Sequence, residues 1–143
     1  MPTFFEKLDQ RAKAIDSLLC VGLDPYPEDL PEPTGAAARE FCVRLIEATK
    51  DVTLAYKPNA AFFEALGPEG WEALQAVIRA VPDDIPVILD AKRGDISSTA
   101  RAYARSAFEI LGADAITLSP YLGYDSLTPF MQDPEKGIFL LCK

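Results

Sequence analysis

The stretch Pro86-Val87-Ile88-Leu89-Asp90-Ala91-Lys92, running on through Arg93-Gly94-Asp95-Ile96, is apolar until its last residues and charged from there on. A strand that carries apolar residues on both faces is covered on both faces, which is the condition of a parallel sheet wrapped in helices. Four further stretches have the same character: 18–24 (LLCVGLD), 53–59 (TLAYKPN), 115–120 (AITLSP) and 137–143 (GIFLLCK).

Between these strands the sequence carries helical spacing with start and stop residues. Thr3 can cap a first helix with Phe4, Leu8, Ala12 and Ile15 on one stripe, and Thr34 can cap a second running through Phe41, Leu45 and Ala48. A short turn at 60–66 leads to Pro68, a favourable first-turn residue for a helix ending near Ala80. Ser97 or Ser98 opens a helix that Gly112 stops, and residues 125–132 form a shorter one.

Helix, strand–helix repeated, then a final strand is the β/α order. In an open doubly wound sheet the first strand often leads into a Gly-rich turn. Here it ends in Leu23-Asp24-Pro25, and no GxGxxG occurs. That counts against an open sheet without deciding between it and a closed TIM (β/α)8 barrel, the fold that the resemblance given below implies. A closed barrel takes eight units and roughly 250 residues, so residues 1–143 are expected to form one partial barrel domain holding about the first five strands. The sequence stops inside an apolar strand at Lys143. The Pro-rich stretch 24–33 joins the first strand to its helix and is taken as an ordered loop.

Composition narrows the chemistry. The net charge is −8, which disfavours nucleic acid and anionic membranes as partners but leaves room for an anionic small molecule where lysines gather. The absence of histidine removes the commonest general base and the commonest metal ligand. Acid–base work then falls to Lys, Asp, Glu, Tyr or Cys. No apolar run approaches the ~18 residues that span a bilayer, and the N-terminal MPTFFEKLDQRAKAID has no apolar signal core, so a cytoplasmic location is expected. Cys20, Cys42 and Cys142 are odd in number and lack CxxC spacing; all three are expected to be reduced core residues.

Charges collect at the C-terminal ends of the strands, where barrel enzymes build their sites. Asp24 ends the first strand, Lys57 the second, Asp90 and Lys92 the third, and Asp95 follows one turn later. Alternation places Val87, Leu89 and Ala91 on one face and Asp90 and Lys92 on the other, toward the barrel axis. Charges held there need partners, and Lys57 and Asp95 are the natural ones. Any one of these residues alone reads as a strand-end surface ion pair. Together they read as a site. Arg93, Arg101 and Arg105 read as solvated or helix-face charges in preference to phosphate ligands, and Tyr121-Leu122-Gly123-Tyr124 as either a pocket-lining loop or a plain loop with buried tyrosines.

The segment DAKRGDI (90–96) resembles the DxKxxD signature of the orotidine monophosphate decarboxylase superfamily. Lys57-Pro58-Asn59 and Leu23-Asp24-Pro25 match the strand ends that accompany it, and with SPYLGYD (119–125) the wording is similar to the bacterial type 2 branch. The resemblance implies a lyase of de novo pyrimidine (UMP) biosynthesis that converts orotidine monophosphate to uridine monophosphate and carbon dioxide. It implies no cofactor and no metal. By that resemblance Lys92 protonates C6 after carbon dioxide leaves, and Asp90 lies beside the substrate carboxylate. Lys57 binds ribose and orders the charges, and Asp24 holds a ribose hydroxyl. Asp95, Ile96 and Thr99 match positions lent across a homodimer interface to the partner's site.

Two other readings compete. The magnesium-dependent sugar-phosphate relatives, such as 3-keto-L-gulonate 6-phosphate decarboxylase and hexulose phosphate synthase, share DxKxxD but present a carboxylate for the metal at the second strand, where this sequence has Lys57. A non-catalytic half-barrel that folds by self-association is the other, since a strand edge at 137–143 would seek a partner strand.

Overall fold

The computed structural model describes residues 2–142. Its five strands are β1 (Leu19–Leu23), β2 (Thr53–Pro58), β3 (Ile88–Arg93), β4 (Ala115–Leu118) and β5 (Gly137–Leu140). β1 pairs with β2, and β3 with β4 and β4 with β5, all in parallel. Parallel bridges Tyr56↔Val87 and Asn59↔Asp90 join the two groups, so spatial order follows chain order. The result is an arc of a β/α barrel, with β1 and β5 as its edges. All the strands run the same way, which puts their charged C-terminal ends at one mouth.

The helices are α1 (Phe4–Ile15), α2 (Gly35–Thr49), α3 (Ala60–Glu64), α4 (Pro68–Ala80) and α5 (Ser97–Arg105). Thr3 caps α1 through a reciprocal bond pair with Glu6, and the Thr34 hydroxyl accepts from the Ala37 N–H. The main core lies between sheet and helices and includes Leu23, Ile46, Tyr56, Phe63, Leu74, Leu89 and Ile116. Tyr56 spans it, donating its hydroxyl to the Ile46 carbonyl at 3.0 Å.

A smaller cluster closes the opposite end of the arc. Phe4 of α1 is fully buried against Ala55, Ile88 and Ala115, at or near the starts of β2, β3 and β4. A methyl at Gly137 would run into the Phe4 ring, so β5 can begin beneath it only as glycine. Arg11 fastens the same helix: its Nε donates to the Thr53 carbonyl at 2.8 Å and one Nη to the Lys50 carbonyl at 2.6 Å, while the other pairs with Asp84.

Several expectations need correction. The buried stripe of α2 is Ala38, Cys42 and Ile46, with Phe41 and Leu45 half-buried and Ala48 exposed. No side chain caps α5; Ile96 stands at its start and Ser97 is already helical. That helix runs on into one wider π turn (Ser106–Ile110) before Gly112, whose φ of +79° ends it. Residues 125–132 form two 3₁₀ turns (Tyr124–Ser126 and Thr128–Met131) rather than one helix. Of the cysteines only Cys42 is in the core; Cys20 and Cys142 are exposed, lying on or just beyond the two edge strands. Lys143 lies outside the described residues.

Candidate active site at the strand ends

Asp90 is the hub of the mouth. It is 8% exposed, and its Oδ2 accepts from Lys57 Nζ at 3.0 Å while Oδ1 accepts from Lys92 Nζ at 2.6 Å. The Thr117 hydroxyl donates to the same Oδ1 at 2.9 Å. Burial opposes ionisation of Asp90, but the hydrogen bonds from Lys92, Lys57 and Thr117 outweigh it and hold the carboxyl at about 2. Burial likewise works against the Lys57 charge, yet its bond to Asp90 and the negative charges of Asp90 and Asp24 push its pKa above the ordinary lysine value. An ionised Asp90 facing a charged Lys57 is therefore the stable state across the neutral range.

Strand alternation explains why Asp90 faces the mouth while Val87 and Leu89 pack into the core. It does not explain Lys92. The β3–β4 ladder runs Leu89↔Ile116 and then Arg93↔Leu118, so residues 90–92 stand opposite Thr117 alone. Lys92 takes φ +49° in this bulge, a left-handed conformation that side chains other than those of Gly, Asn and Asp seldom adopt. Its ammonium thereby folds back onto Asp90.

Asp24 approaches from β1. It is half-buried, its Oδ1 is buried without a hydrogen-bond partner, and its charge is felt at Lys57. A methyl at Gly22 would stand 2.7 Å from Asp24 Oδ2, so the glycine leaves the carboxylate its place. A buried carboxylate oxygen without a partner is unusual in a folded chain.

Lys57, Asp90 and Lys92 are thus brought together, with Asp24 beside them. Asp95 is not. Its Oδ1 accepts from the Ile96 N–H at 2.7 Å, one turn away from the network, so the expected alternation of two ammoniums and two carboxylates does not form within this chain. Ile96 is 66% exposed and Thr99 half-buried. Ala100 and Ala104 of α5, and Ala107 in the π turn that follows, are core.

Arg93 corrects a further expectation. It is not a solvated charge: it pairs with Glu64 of α3 and stacks 4.9 Å over the Tyr103 ring of α5. Arg105 is exposed and pairs with Glu109. Tyr121 and Tyr124 are exposed at 91% and 68%, so the loop with buried tyrosines is ruled out. Thr117 was missed by the sequence reading. Its signal was a lone hydroxyl in the otherwise apolar run Ala115-Ile116-Thr117-Leu118.

Among the described residues, no group of three or more His, Cys, Asp or Glu is placed to hold a metal ion, and no helix is long and apolar enough to cross a membrane.

An arc of parallel strands whose ends converge two lysines on one aspartate defines a β/α-barrel scaffold with a charged mouth. The profile of the orotidine 5'-phosphate decarboxylase / HUMPS family matches residues 17–143. The chain belongs to that family. It is 54% identical to the orotidine 5'-phosphate decarboxylase of Herpetosiphon aurantiacus over 144 residues, covering 98% of this chain and 54% of the relative. It is 54% identical to that of Roseiflexus castenholzii over 143 residues, covering 98% of this chain and 52% of the relative. The solved structure of Leishmania donovani OMP decarboxylase superposes with a TM-score of 0.91 at 62% identity, over 99% of this chain and 54% of that one. The chain spans about half the length of the curated relatives it matches.

Proposed function

We propose that this chain carries the catalytic strand ends of an orotidine 5'-phosphate decarboxylase, a carboxy-lyase that forms uridine monophosphate and carbon dioxide. The observation that supports this reading is the Lys57–Asp90–Lys92 network, with both lysines within 3.0 Å of one buried carboxylate.

Departure of carbon dioxide leaves an electron pair on C6, a ring carbon poorly placed to delocalise it. The Lys92 ammonium, fixed by Asp90, meets that charge and then transfers a proton to it. At 4 Å and an effective dielectric near 20 one such pair contributes ~4 kcal/mol. Asp90 lies beside the substrate carboxylate and fixes the Lys92 side chain through its Oδ1 at 2.6 Å. Lys57 orders Asp90 from the other side and binds ribose, and the Asp24 carboxylate holds a ribose hydroxyl. Asp95, Ile96 and Thr99 serve the site of a second copy in a homodimer, which accounts for Asp95 turning away from its own network and for the exposure of Ile96. The enzyme acts in the cytoplasm, in pyrimidine biosynthesis.

The second strand favours this reaction over the magnesium-dependent one, because it ends in Lys57 where a metal would need a carboxylate. The test is a chimera in which residues 1–143 replace the matched half of the Roseiflexus castenholzii relative. It should decarboxylate orotidine 5'-phosphate in the presence of EDTA and lose that activity on Lys92→Ala. A folded chimera that is inactive, or that needs magnesium, would sink the reading. The 143 residues alone should show at most trace turnover, and a normal enzymatic rate from them would count against this account.

A further inference from the structure

The bulge that presents Lys92 leaves a bonding problem that one atom solves. Opposite residues 90–92 the ladder offers only Thr117, so the Ala91 and Lys92 N–H groups find no strand partner in register. Both donate to Thr117 Oγ1 instead, at 3.0 and 2.9 Å. A hydroxyl has two acceptor sites and one hydrogen. With both acceptor sites filled by backbone N–H groups, its hydrogen has one direction left, toward Asp90 Oδ1 at 2.9 Å. That oxygen also holds the Lys92 ammonium at 2.6 Å. One side chain thus grips Lys92 twice: by its backbone, at φ +49°, and through Asp90 by its ammonium.

We propose that Thr117 is a positioning residue, whose hydroxyl holds Lys92 in its left-handed backbone conformation and fixes the orientation of Asp90 so that the ammonium stands ready at the mouth. A left-handed lysine persists only where its surroundings over-determine it. Here the surroundings are two N–H bonds converging on one oxygen. Valine has the shape of threonine but neither accepts nor donates, so both amides and one carboxylate bond are lost together. Serine keeps all three. The catalytic meaning of this inference rests on the decarboxylase reading; its geometry does not.

The experiment uses this chain with Thr117→Val and Thr117→Ser, read by NMR. In the unaltered chain the Ala91 and Lys92 amides should exchange slowly with solvent although they sit in a bulge. Thr117→Val should speed both by roughly tenfold or more, as a local opening that has lost its hydrogen bonds does. It should also raise the Asp90 titration midpoint from about 2. Thr117→Ser should keep both properties. In the chimera, Thr117→Val should lower kcat by roughly 10–100-fold, the usual loss for a displaced reacting group, with KM little changed, and Thr117→Ser should restore most of it.

Unchanged exchange and titration in the valine variant would overturn the proposal, as would a serine variant as impaired as valine. Should the valine variant not fold, the unaltered chain still decides: fast exchange of both amides overturns the proposal, slow exchange supports it. An inactive chimera with the exchange pattern intact would remove the decarboxylase reading and leave the role of Thr117 in holding Lys92 standing. An active chimera indifferent to Thr117→Val would remove the Thr117 role and leave the decarboxylase reading.

Discussion

Replacing Asp90 by asparagine removes one charge and keeps the shape, which makes it the most direct probe of the network. In the folded chain Asp90 titrates at about 2 against an ordinary 3.8. The difference of 1.8 units corresponds to about 2.4 kcal/mol at 1.36 kcal/mol per unit. Because the folded value is the lower one, the unfolded chain binds the proton first as pH falls. The stabilisation is therefore complete well above 3.8 and is lost as pH drops through 3.8 toward 2. By linkage about 1 kcal/mol of it is gone at pH 3 and about 2 kcal/mol at pH 2. Lys57 and Lys92 keep access to water, with side chains 34% and 52% exposed, so neither becomes a buried unpaired charge when Asp90 is neutralised.

The expected result is an Asp90→Asn variant about 2 kcal/mol less stable than the unaltered chain at pH 7, with the gap narrowing by roughly half near pH 3. Urea denaturation followed by fluorescence of the single tryptophan, Trp71, reads both values. A gap of the same size at pH 7 and pH 3 would show that the loss comes from packing and not from the charge. No gap at pH 7 would mean that the two lysines do not hold Asp90 ionised, and the electrostatic account of the site would fail.

Arg11→Met should cost roughly 2–3 kcal/mol by denaturation, since it strips the Thr53 and Lys50 carbonyls of their donor in a buried setting. Asp84→Asn should cost less than about 1 kcal/mol, because Asp84 is 72% exposed; equal losses would refute this split. Gly94→Ala would put a methyl into the Ser119 carbonyl, so it should destabilise by roughly 1–3 kcal/mol and disturb the Lys92 amide signal. In thiol labelling of the native chain Cys20 and Cys142 should react, while Cys42 should stay silent until unfolding, because burial pushes its thiol up to about 12.

Most of the scaffold was legible because parallel strands announce themselves by apolar runs, and the mouth because those runs end in charge. What stayed hidden depends on register. Alternation gave the direction of Asp90 correctly, but the bulge that turns Lys92 back onto it arises from how β3 meets β4, and no single strand encodes that. Asp95 was grouped with the network on proximity in sequence, whereas the turn after Gly94 sends its carboxylate to the Ile96 N–H. Arg93 looked like a surface charge because Glu64 and Tyr103, its partners, lie on helices remote in sequence. Cys20 and Cys142 were assigned to the core on apolar context alone, which fails for strands whose outer flank has no neighbour.

The charges at the mouth also limit what these strand ends do by themselves. Lys57, Asp90 and Lys92 sum to +1, and Asp24 brings the set to zero, in a chain whose net charge is −8. On the decarboxylase reading proposed above, with a screening length of about 8 Å at physiological salt, such a set would give little long-range pull on a phosphorylated, carboxylated substrate. A single ammonium–carbanion pair at ~4 kcal/mol also falls short of the ~8–23 kcal/mol that enzymatic accelerations require. Both shortfalls have the same remedy. Binding energy gained at groups of the substrate remote from C6, and realised only as the transition state forms, must supply the difference. On the proposed decarboxylase reading the network would set the chemistry, and contacts to remote groups of the substrate would set the rate.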